Sequence, residues 1–365
     1  MTKKILNVNI VNHDCIVFGD IHIEDNKIKK IIIKSKKEDK SKNYCLPGFI
    51  DQHTHGGYGI SFDKFSDNIS NDLIVLKNKL AKEGVCGVFV TTVTQEVNKI
   101  ISLGNILKNR DQIVLGWHIE GPFISIAKKG AHNEKFITSI NSDILKEIND
   151  TNNLKKIITI APEIKENMNI IKNNKLKNIY FSIGHSNADY DTCEKAVNNG
   201  CTQFTHLYNA MSGFDHRSPG IVNYALNNKD TYVELIADGV HVNDSVLKET
   251  YIISKAERII IVSDSLSPKG LKNGKYMLGS LEIEKKNNQC FLADSNVLAG
   301  STMKYNDIVK HFFKVTKCSL SEIVKMTSYN TCKQFKIKNY GKIVEGAQAK
   351  LIILDEKLNI VDKTF

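Results

Sequence analysis

The sequence lacks the features of several protein classes. No apolar run approaches the roughly 20 residues that a membrane-spanning helix needs. The N-terminal residues Met1–Lys4 lead into a strand-like segment, without the apolar core and cleavage site of a signal peptide. The eight cysteines are scattered and form no Cys-x-x-Cys motif, which in a chain of 365 residues is typical of reduced, mostly buried thiols. We therefore expect a cytoplasmic protein that does not associate with membranes.

Arginine is scarce as well. The chain has 47 lysines and only three arginines, and its formal net charge is +10. The positive charge is not gathered into one block, and no aromatic residues alternate with it as they do on surfaces that stack bases. We therefore expect no nucleic-acid partner. The positive potential would instead help to attract a phosphorylated small molecule.

Both ends of the chain contain short runs in which apolar and polar residues alternate. They cover residues 3–35 near the N-terminus and residues 341–343 and 350–354 near the C-terminus. Such runs, separated by turn residues, are typical of antiparallel strands. We expect the two ends, residues 1–45 and 341–365, to form one small sheet domain.

Between the two ends, apolar runs alternate with amphipathic segments. The runs cover 46–51, 86–91, 112–118, 157–160, 179–184, 202–206, 232–237 and 259–263. Eight such repeats predict a (β/α)8 barrel over residues 46–340, with its chemistry at the C-terminal ends of the strands. We also expect a β-hairpin insertion near 275–298 and two closing helices, near 304–317 and 319–335.

Histidines gather at these predicted strand ends and in the loops beside them. Eight of the eleven lie there, at positions 53, 55, 118, 132, 185, 206, 216 and 241. His53 and His55 end the first strand, where residues i and i+2 point to the same side. Imidazole and carboxylate groups are the ligands of hydrolytic zinc or iron centres. The pattern therefore favours a metal-dependent hydrolase.

The candidate metal ligands come from several strand ends. Glu120, His185 and His206 supply three ligands, while the His-x-His pair of the first strand could hold a second ion, with Glu120 as the bridge. A metal ion would lower the pKa of a bound water toward neutrality, so that hydroxide attacks. Asp264, at the end of the eighth strand, is suited to take the proton of that water and later to pass it to a leaving amine.

Six sequence blocks at these positions resemble one known family. They are His-x-His at 53–55, His-Ile-Glu-Gly-Pro-Phe at 118–123, Gly-His-Ser-Asn-Ala at 184–188, Thr-His-Leu-Tyr-Asn-Ala-Met at 205–211, Asp-Gly-x-His-Val at 238–242 and Ser-Asp-Ser at 263–265. In this order, over essentially the whole chain, they are similar to the N-acetylglucosamine-6-phosphate deacetylases of the amidohydrolase superfamily. The resemblance implies an α/β fold, a metal-dependent TIM-like barrel with a small β-sandwich domain formed by both termini.

The resemblance also implies roles for single residues. The family's metal ligands correspond to Glu120, His185, His206, His53 and His55. The last two match only members with two metal ions, since other members have Gln-x-Asn there. Asp264 corresponds to the general base and acid, and His241 to the histidine that approaches the scissile amide carbonyl. Residues that match the family's contacts to sugar and phosphate are Ala131, His132, Asn209, Ala210, Asp238, His241, Ser301, Thr302 and Met303.

Arg217 matches the phosphate-binding arginine of the family, which reaches across a dimer interface. The residue type at this position also suggests phosphate binding, because the chain otherwise uses lysine at nearly every basic position. The planar guanidinium grips phosphate through two hydrogen bonds, whereas lysine offers a point charge. We expect a homodimer in which Arg217 reaches the partner's site.

The expected reaction is the hydrolysis of N-acetyl-D-glucosamine 6-phosphate to glucosamine 6-phosphate and acetate, in amino-sugar catabolism and cell-wall sugar recycling. Zinc or iron is the expected metal, with manganese or cobalt as alternatives, at one site or at both. Two other functions stay open: deacetylation of another phosphosugar, such as N-acetylgalactosamine 6-phosphate, and a catalytically inactive phosphosugar-binding barrel. A cyclic amidohydrolase is disfavoured, because the fourth predicted strand ends at residues 160–163 without the lysine that bridges two metals in those enzymes.

Overall fold

The computed structural model describes residues 2–64, 69–109, 111–293 and 295–365. Its strands are β1 (Thr2–Val11), β2 (Ile16–Glu24), β3 (Lys27–Ser35), β4 (Tyr44–Pro47), β5 (Phe49–Thr54), β6 (Gly56–Gly57), β7 (Ile60–Ser61), β8 (Val85–Thr92), β9 (Val114–Glu120), β10 (Lys155–Ile160), β11 (Ile179–Ile183), β12 (Cys201–Phe204), β13 (Tyr232–Ile236), β14 (Ile259–Val262), β15 (Gly274–Leu278), β16 (Leu281–Lys286), β17 (Gln289–Leu292), β18 (Leu298–Ser301), β19 (Leu351–Leu354) and β20 (Ile360–Lys363). Its α-helices are α1 (Ile69–Ala81), α2 (Val97–Ile106), α3 (Ser142–Asp150), α4 (Lys165–Asn173), α5 (Tyr190–Asn198), α6 (Ile221–Asn227), α7 (Asp244–Arg258), α8 (Tyr305–Thr316), α9 (Leu320–Val324) and α10 (Asn330–Phe335). None of the helices in these ranges is long and apolar enough to cross a membrane.

The predicted barrel is confirmed. Strands β5 and β8 to β14 pair side by side in chain order, all parallel. The last strand returns to the first, because the Asp264 N–H donates to the His53 carbonyl over 2.9 Å and the His55 N–H donates to the Ser265 carbonyl over 2.8 Å. The barrel therefore closes at its C-terminal end, directly beside the His-x-His pair.

The first predicted strand, 46–51, is divided between two sheets. Residues up to Pro47 belong to β4 in the small sheet, and the barrel strand β5 begins only at Phe49. Gly48 lies between them, and a Cβ added there would lie 2.8 Å from the Cβ and Sγ atoms of Cys86. The chain can pass this closely from one sheet into the other because glycine has no side chain.

The strands from both chain ends form one separate sheet, in the order β20-β19-β4-β1-β2-β3. This sheet curls over its own apolar face, because the Ile28 N–H donates to the Ala347 carbonyl over 2.9 Å and the Ala349 N–H donates to the Asn26 carbonyl over 2.8 Å. The isoleucines and other apolar side chains inside the curl form a core distinct from that of the barrel.

The closing helices cover one end of the barrel. Ser319 caps α9 as predicted, since its Oγ accepts from the Glu322 N–H. Asn330, in α10, donates to the carbonyl of Ala256, near the end of α7, and to that of Ile259, at the start of β14. The helix therefore lies at the N-terminal end of the strands, and the C-terminal end is left for the predicted site.

An antiparallel sheet, β15 to β18, is inserted after the last barrel strand. Its last strand is attached to the loop that carries Asp264: the Ser301 N–H donates to the Asp264 carbonyl over 2.9 Å, and the Leu266 N–H donates to the Ser301 carbonyl over 3.1 Å. The insertion therefore flanks the C-terminal end of the barrel.

A buried ion pair joins the loop after β14 to the turn before β8. The Nζ atom of Lys269 lies 3.4 Å from Oε2 of Glu83, and both side chains are fully buried. Glu83 also accepts from the Tyr58 hydroxyl and from the Tyr305 N–H, each over 2.6 Å. Through Glu83, the turn before β8 is therefore connected to three other segments, which carry Tyr58, Lys269 and Tyr305.

We predict that Lys269→Ala lowers the free energy of unfolding by about 3–5 kcal/mol, because it leaves the buried Glu83 carboxylate without its counter-charge. Lys99→Ala serves as the control, since its ion pair with Glu96 is exposed and worth about 0–1 kcal/mol. Urea titrations followed by circular dichroism measure both values. Equal losses in the two variants would contradict this prediction.

Candidate active site

Four histidines surround one buried carboxylate at the C-terminal end of the barrel. That carboxylate belongs to Glu120, the last residue of β9. Its Oε1 atom lies 2.8 Å from Nε2 of His206, 3.3 Å from Nε2 of His185 and 3.4 Å from Nε2 of His53. Its Oε2 atom lies 3.0 Å from Nε2 of His55. The five residues predicted as metal ligands are therefore brought together.

Three of the predicted site residues have an unusual backbone conformation. The φ angles of His185, His206 and Asp264 are 47°, 29° and 47°, in the left-handed region that non-glycine residues rarely adopt. Each is the second residue after a barrel strand, and the local backbone turn directs its side chain toward the cluster. Such conformations cost on the order of 1–3 kcal/mol each and concentrate at functional sites.

The donor atoms fall into two adjoining groups. One group contains Glu120, His185 and His206, and the other contains Glu120, Asp264 and the two histidines of the His-x-His pair. Within each group the donor atoms lie within 4.8 Å of one another. Imidazole nitrogens and carboxylate oxygens in such numbers suit a divalent transition metal, and the shared Glu120 could contact two ions.

Hydrogen bonds outside the cluster fix the tautomers of two of these histidines. The Nδ1 atom of His185 lies 2.8 Å from the carbonyl oxygen of Lys128, so it must carry the proton. The Nδ1 atom of His53 lies 3.0 Å from the Glu234 carboxylate. In both rings Nε2 is left to face Glu120, and Nε2 of His53 is buried without a hydrogen-bond partner among the described residues. The two Nε2 atoms therefore present the lone pairs that a metal ion requires.

His132 has the opposite tautomer. The Thr94 backbone N–H donates to Nδ1 of His132 over 3.2 Å, and a backbone N–H can only donate. Nε2 of His132 therefore carries the proton, and it faces Oε2 of Glu120 at 3.6 Å. Nε2 of His132 can therefore donate a hydrogen bond but, in this tautomer, cannot bind a cation.

The charges of the cluster depend on one another. Burial alone would raise the pKa of Glu120, but the charge of His53 and hydrogen bonds from the other histidines hold that pKa well below its ordinary value. Burial would likewise lower the pKa of His55, but its hydrogen bonds to Asp264 and Glu120 raise that pKa to about 9. A divalent cation would replace the protons that balance these carboxylates.

A cavity of about 360 Å³ opens above the cluster. Its lining includes four of the five metal-ligand candidates, without the fully buried His53, together with Asp264. It also includes five of the residues predicted to contact substrate, namely Ala131, His132, Asn209, Ala210 and His241. The apolar side chains of Leu266, Leu278 and Leu298 form another wall, contributed by the insertion and the loop before it. The cavity thus places a polar floor opposite an apolar wall.

The other residues predicted to contact substrate do not line this cavity within the described part of the chain. Asp238 lies behind His241 and accepts from its Nδ1 atom over 2.8 Å. Ser301 is paired through its backbone with Asp264, and of the two residues that follow, Thr302 is buried and Met303 is half-buried. Arg217 lies in an exposed loop, where its N–H donates to the carboxylate of Asp215 over 2.7 Å.

The sequence profile of the amidohydrolase family matches residues 44–365. The chain belongs to the amidohydrolase family. It is similar to the N-acetylglucosamine-6-phosphate deacetylase of Lysinibacillus sphaericus, with 34% identity over 351 residues, 93% of this chain and 90% of the relative. The crystal structure of the Thermotoga maritima N-acetylglucosamine-6-phosphate deacetylase is 36% identical, covers 99% of this chain and 98% of its own, and superposes with a TM-score of 0.90.

A relative with a different printed substrate also matches. The N-acetylgalactosamine-6-phosphate deacetylase of Escherichia coli O157:H7 is 29% identical over 330 residues, which are 88% of this chain and 86% of the relative. The amidohydrolase therefore resembles enzymes named for either of two phosphosugar epimers.

Sequence reasoning missed three parts of this amidohydrolase's site. Glu234 contacts His53 from inside the barrel, and its one signal is a carboxylate within the apolar strand β13. Lys128 both holds His185 and lines the cavity. The apolar wall of the insertion had no local signal, because only the tertiary fold brings Leu278 and Leu298 over the barrel.

We predict that replacing both His53 and His55 by alanine lowers the metal content of the protein from about two ions to about one per chain. The reason is that the second donor group loses both imidazoles while Glu120, His185 and His206 are kept. Inductively coupled plasma mass spectrometry after dialysis measures the content. A parent protein that binds a single ion would contradict the prediction.

Proposed function

We propose that this amidohydrolase hydrolyses the acetamide of N-acetyl-D-glucosamine 6-phosphate, releasing acetate and D-glucosamine 6-phosphate. The observation that carries the proposal is that Asp264, His241 and members of both donor groups line one cavity. The names of the similar deacetylases support the substrate. The cavity, at about 360 Å³, also lies in the size range of small-molecule sites.

The cluster would hold one or both ions of a divalent metal, with zinc or iron expected and manganese or cobalt as alternatives. Such an ion would supply a water of lowered pKa and would polarise the acetyl carbonyl. Asp264 has a lowered pKa, because its contacts with His53 and His55 outweigh the effect of burial, and it is therefore ionised at neutral pH. It would accept the proton of the attacking water and then deliver it to the departing amine.

His241 would stabilise the carbonyl oxygen as negative charge develops on it. Its Nδ1 atom is bound to Asp238, and its buried Nε2 atom has no hydrogen-bond partner among the described residues. Burial lowers the pKa of His241, but the hydrogen bond and charge of Asp238 outweigh burial and raise it. The imidazolium can therefore donate from Nε2 into the cavity, as an oxyanion hole requires.

We predict that the parent protein releases acetate from N-acetylglucosamine 6-phosphate and that Asp264→Asn lowers kcat by about 10²–10⁴-fold. Asparagine keeps the shape of the side chain but cannot accept the proton. The group of Glu120, His185 and His206 does not include Asp264, so the variant should keep the ion held there. A coupled acetate assay and elemental analysis measure the two quantities. A parent without acetate release refutes the proposed function, and normal turnover in the variant refutes the role of Asp264.

The epimer N-acetylgalactosamine 6-phosphate is a second candidate substrate, favoured by the similarity to the Escherichia coli enzyme. The same assay with both epimers decides between them through the ratio of kcat/KM. A cyclic amidohydrolase is not favoured, because Glu163, after β10, accepts from the Ser186 hydroxyl over 2.6 Å and from the Asn187 N–H over 2.7 Å. Glu163 thus supports the loop behind His185 and contributes no bridging ligand.

Arg217 would bind the substrate phosphate in the site of a second copy of the chain. The loop that carries it is exposed, and Phe214 in the same loop is 69% exposed, which fits a surface that a partner covers. We therefore propose a homodimer. A cytoplasmic location is also proposed, since all eight cysteines are free thiols and seven of them are buried.

We predict that Arg217→Lys raises KM for the phosphosugar far more than it lowers kcat, because a point charge replaces a bidentate contact in binding. Steady-state kinetics on N-acetylglucosamine 6-phosphate measure both constants. Activity of the parent on unphosphorylated N-acetylglucosamine equal to that on the phosphosugar would contradict a phosphate-binding role.

A further inference from the structure

Glu234 is a fully buried carboxylate inside the barrel. It lies in the middle of β13, between the apolar residues Val233 and Leu235. Barrel interiors are usually filled with branched apolar side chains. Burial of a carboxylate costs several kcal/mol unless its hydrogen bonds are fully satisfied. A residue with this cost needs a compensating role.

Hydrogen-bond donors surround the Glu234 carboxylate. Its Oε2 atom lies 3.0 Å from Nδ1 of His53 and 3.3 Å from the backbone N–H of His206. Its Oε1 atom accepts from Nε2 of Gln52 over 2.9 Å and from Nε2 of Gln203 over 3.2 Å. An ionised carboxylate is the side-chain group that can accept from all of these at once.

The orientation of the two glutamines is itself fixed by residues of α10, at the N-terminal end of the barrel. Oε1 of Gln52 accepts from the Thr331 hydroxyl over 3.0 Å, and Oε1 of Gln203 accepts from Nε2 of Gln334 over 2.5 Å. Their amide nitrogens therefore face Glu234. Because these donors hold one side of the carboxylate, the other side remains directed at His53.

This arrangement places the proton of His53 on Nδ1. Its Nε2 atom then presents a lone pair between Oε1 of Glu120 and Oδ1 of Asp264, each 3.4 Å away. The ring is also packed against His118, with centroids 4.4 Å apart, which limits its rotation. We propose that Glu234 is the positioning residue that makes His53 a metal ligand and so determines whether the second ion binds.

The inference rests on the proposed metal centre but not on the identity of the substrate. A partner of this kind typically changes metal affinity by about 10–100-fold. Glutamine at position 234 cannot replace the carboxylate. Its amide nitrogen must face either His53, which reverses the tautomer, or the amide nitrogens of Gln52 and Gln203, which places donors against a donor.

We predict that Glu234→Gln weakens binding of the second zinc ion by about 10–100-fold. At limiting zinc the content then falls from about two ions to about one per chain. Gln203→Met is the matched control, since it removes one donor to the same carboxylate and leaves the Glu234–His53 contact in place. Elemental analysis after equilibration with buffered zinc measures the content, and thermal unfolding verifies that both variants are folded.

Two results would overturn the proposal: a Glu234→Gln protein that binds two ions as tightly as the parent, or a parent that binds only one. If Glu234→Gln does not fold, ¹⁵N NMR of the zinc-loaded parent gives the answer, with the His53 signals identified by their absence from His53→Ala. A proton on Nδ1 supports the proposal, and a proton on Nε2 overturns it. Two ions in a protein without deacetylase activity would refute the proposed reaction and leave this inference standing.

Discussion

The buried Glu120 carboxylate is the interaction on which the rest of the site depends. A lone carboxylate would not be stable at this depth, and four imidazoles within 3.4 Å of its oxygens supply the compensation. Those imidazoles come from the ends of three different strands, so the carboxylate can be satisfied only when the barrel is closed. The left-handed backbone at His185 and His206 is the local cost of that convergence.

Chemically identical side chains in this cluster are given different functions by contacts outside it. A carbonyl oxygen fixes His185 as a lone-pair donor, whereas a backbone N–H fixes His132 as a hydrogen-bond donor. The carboxylate of Asp238 likewise favours a charged His241 beside the cavity. The identity of a residue as histidine therefore does not give its role, and the hydrogen bond to its other ring nitrogen does.

Much of this arrangement follows from the sequence, because apolar runs mark the barrel strands and parallel strands present their C-terminal ends on one face. The exact start of β5 does not follow, since the apolar run continues through Pro47 and Gly48 while the chain changes sheet. Glu234 could not be assigned a partner either. Its contacts, Gln52 and His53, lie on a distant strand, and only the closed barrel brings β5 and β13 to the same interior.

The cavity also limits how a phosphosugar can be held. The acetamide must lie against the polar floor, so the apolar wall of Leu266, Leu278 and Leu298 excludes water from the reacting end. Besides the histidines, Lys128 is the basic side chain in the described lining of the cavity. Arg258 is committed elsewhere, because it donates to the backbone carbonyls of Thr231 and Ala225. In the proposed homodimer, the guanidinium contact to the phosphate would come from Arg217 of the second copy of the chain.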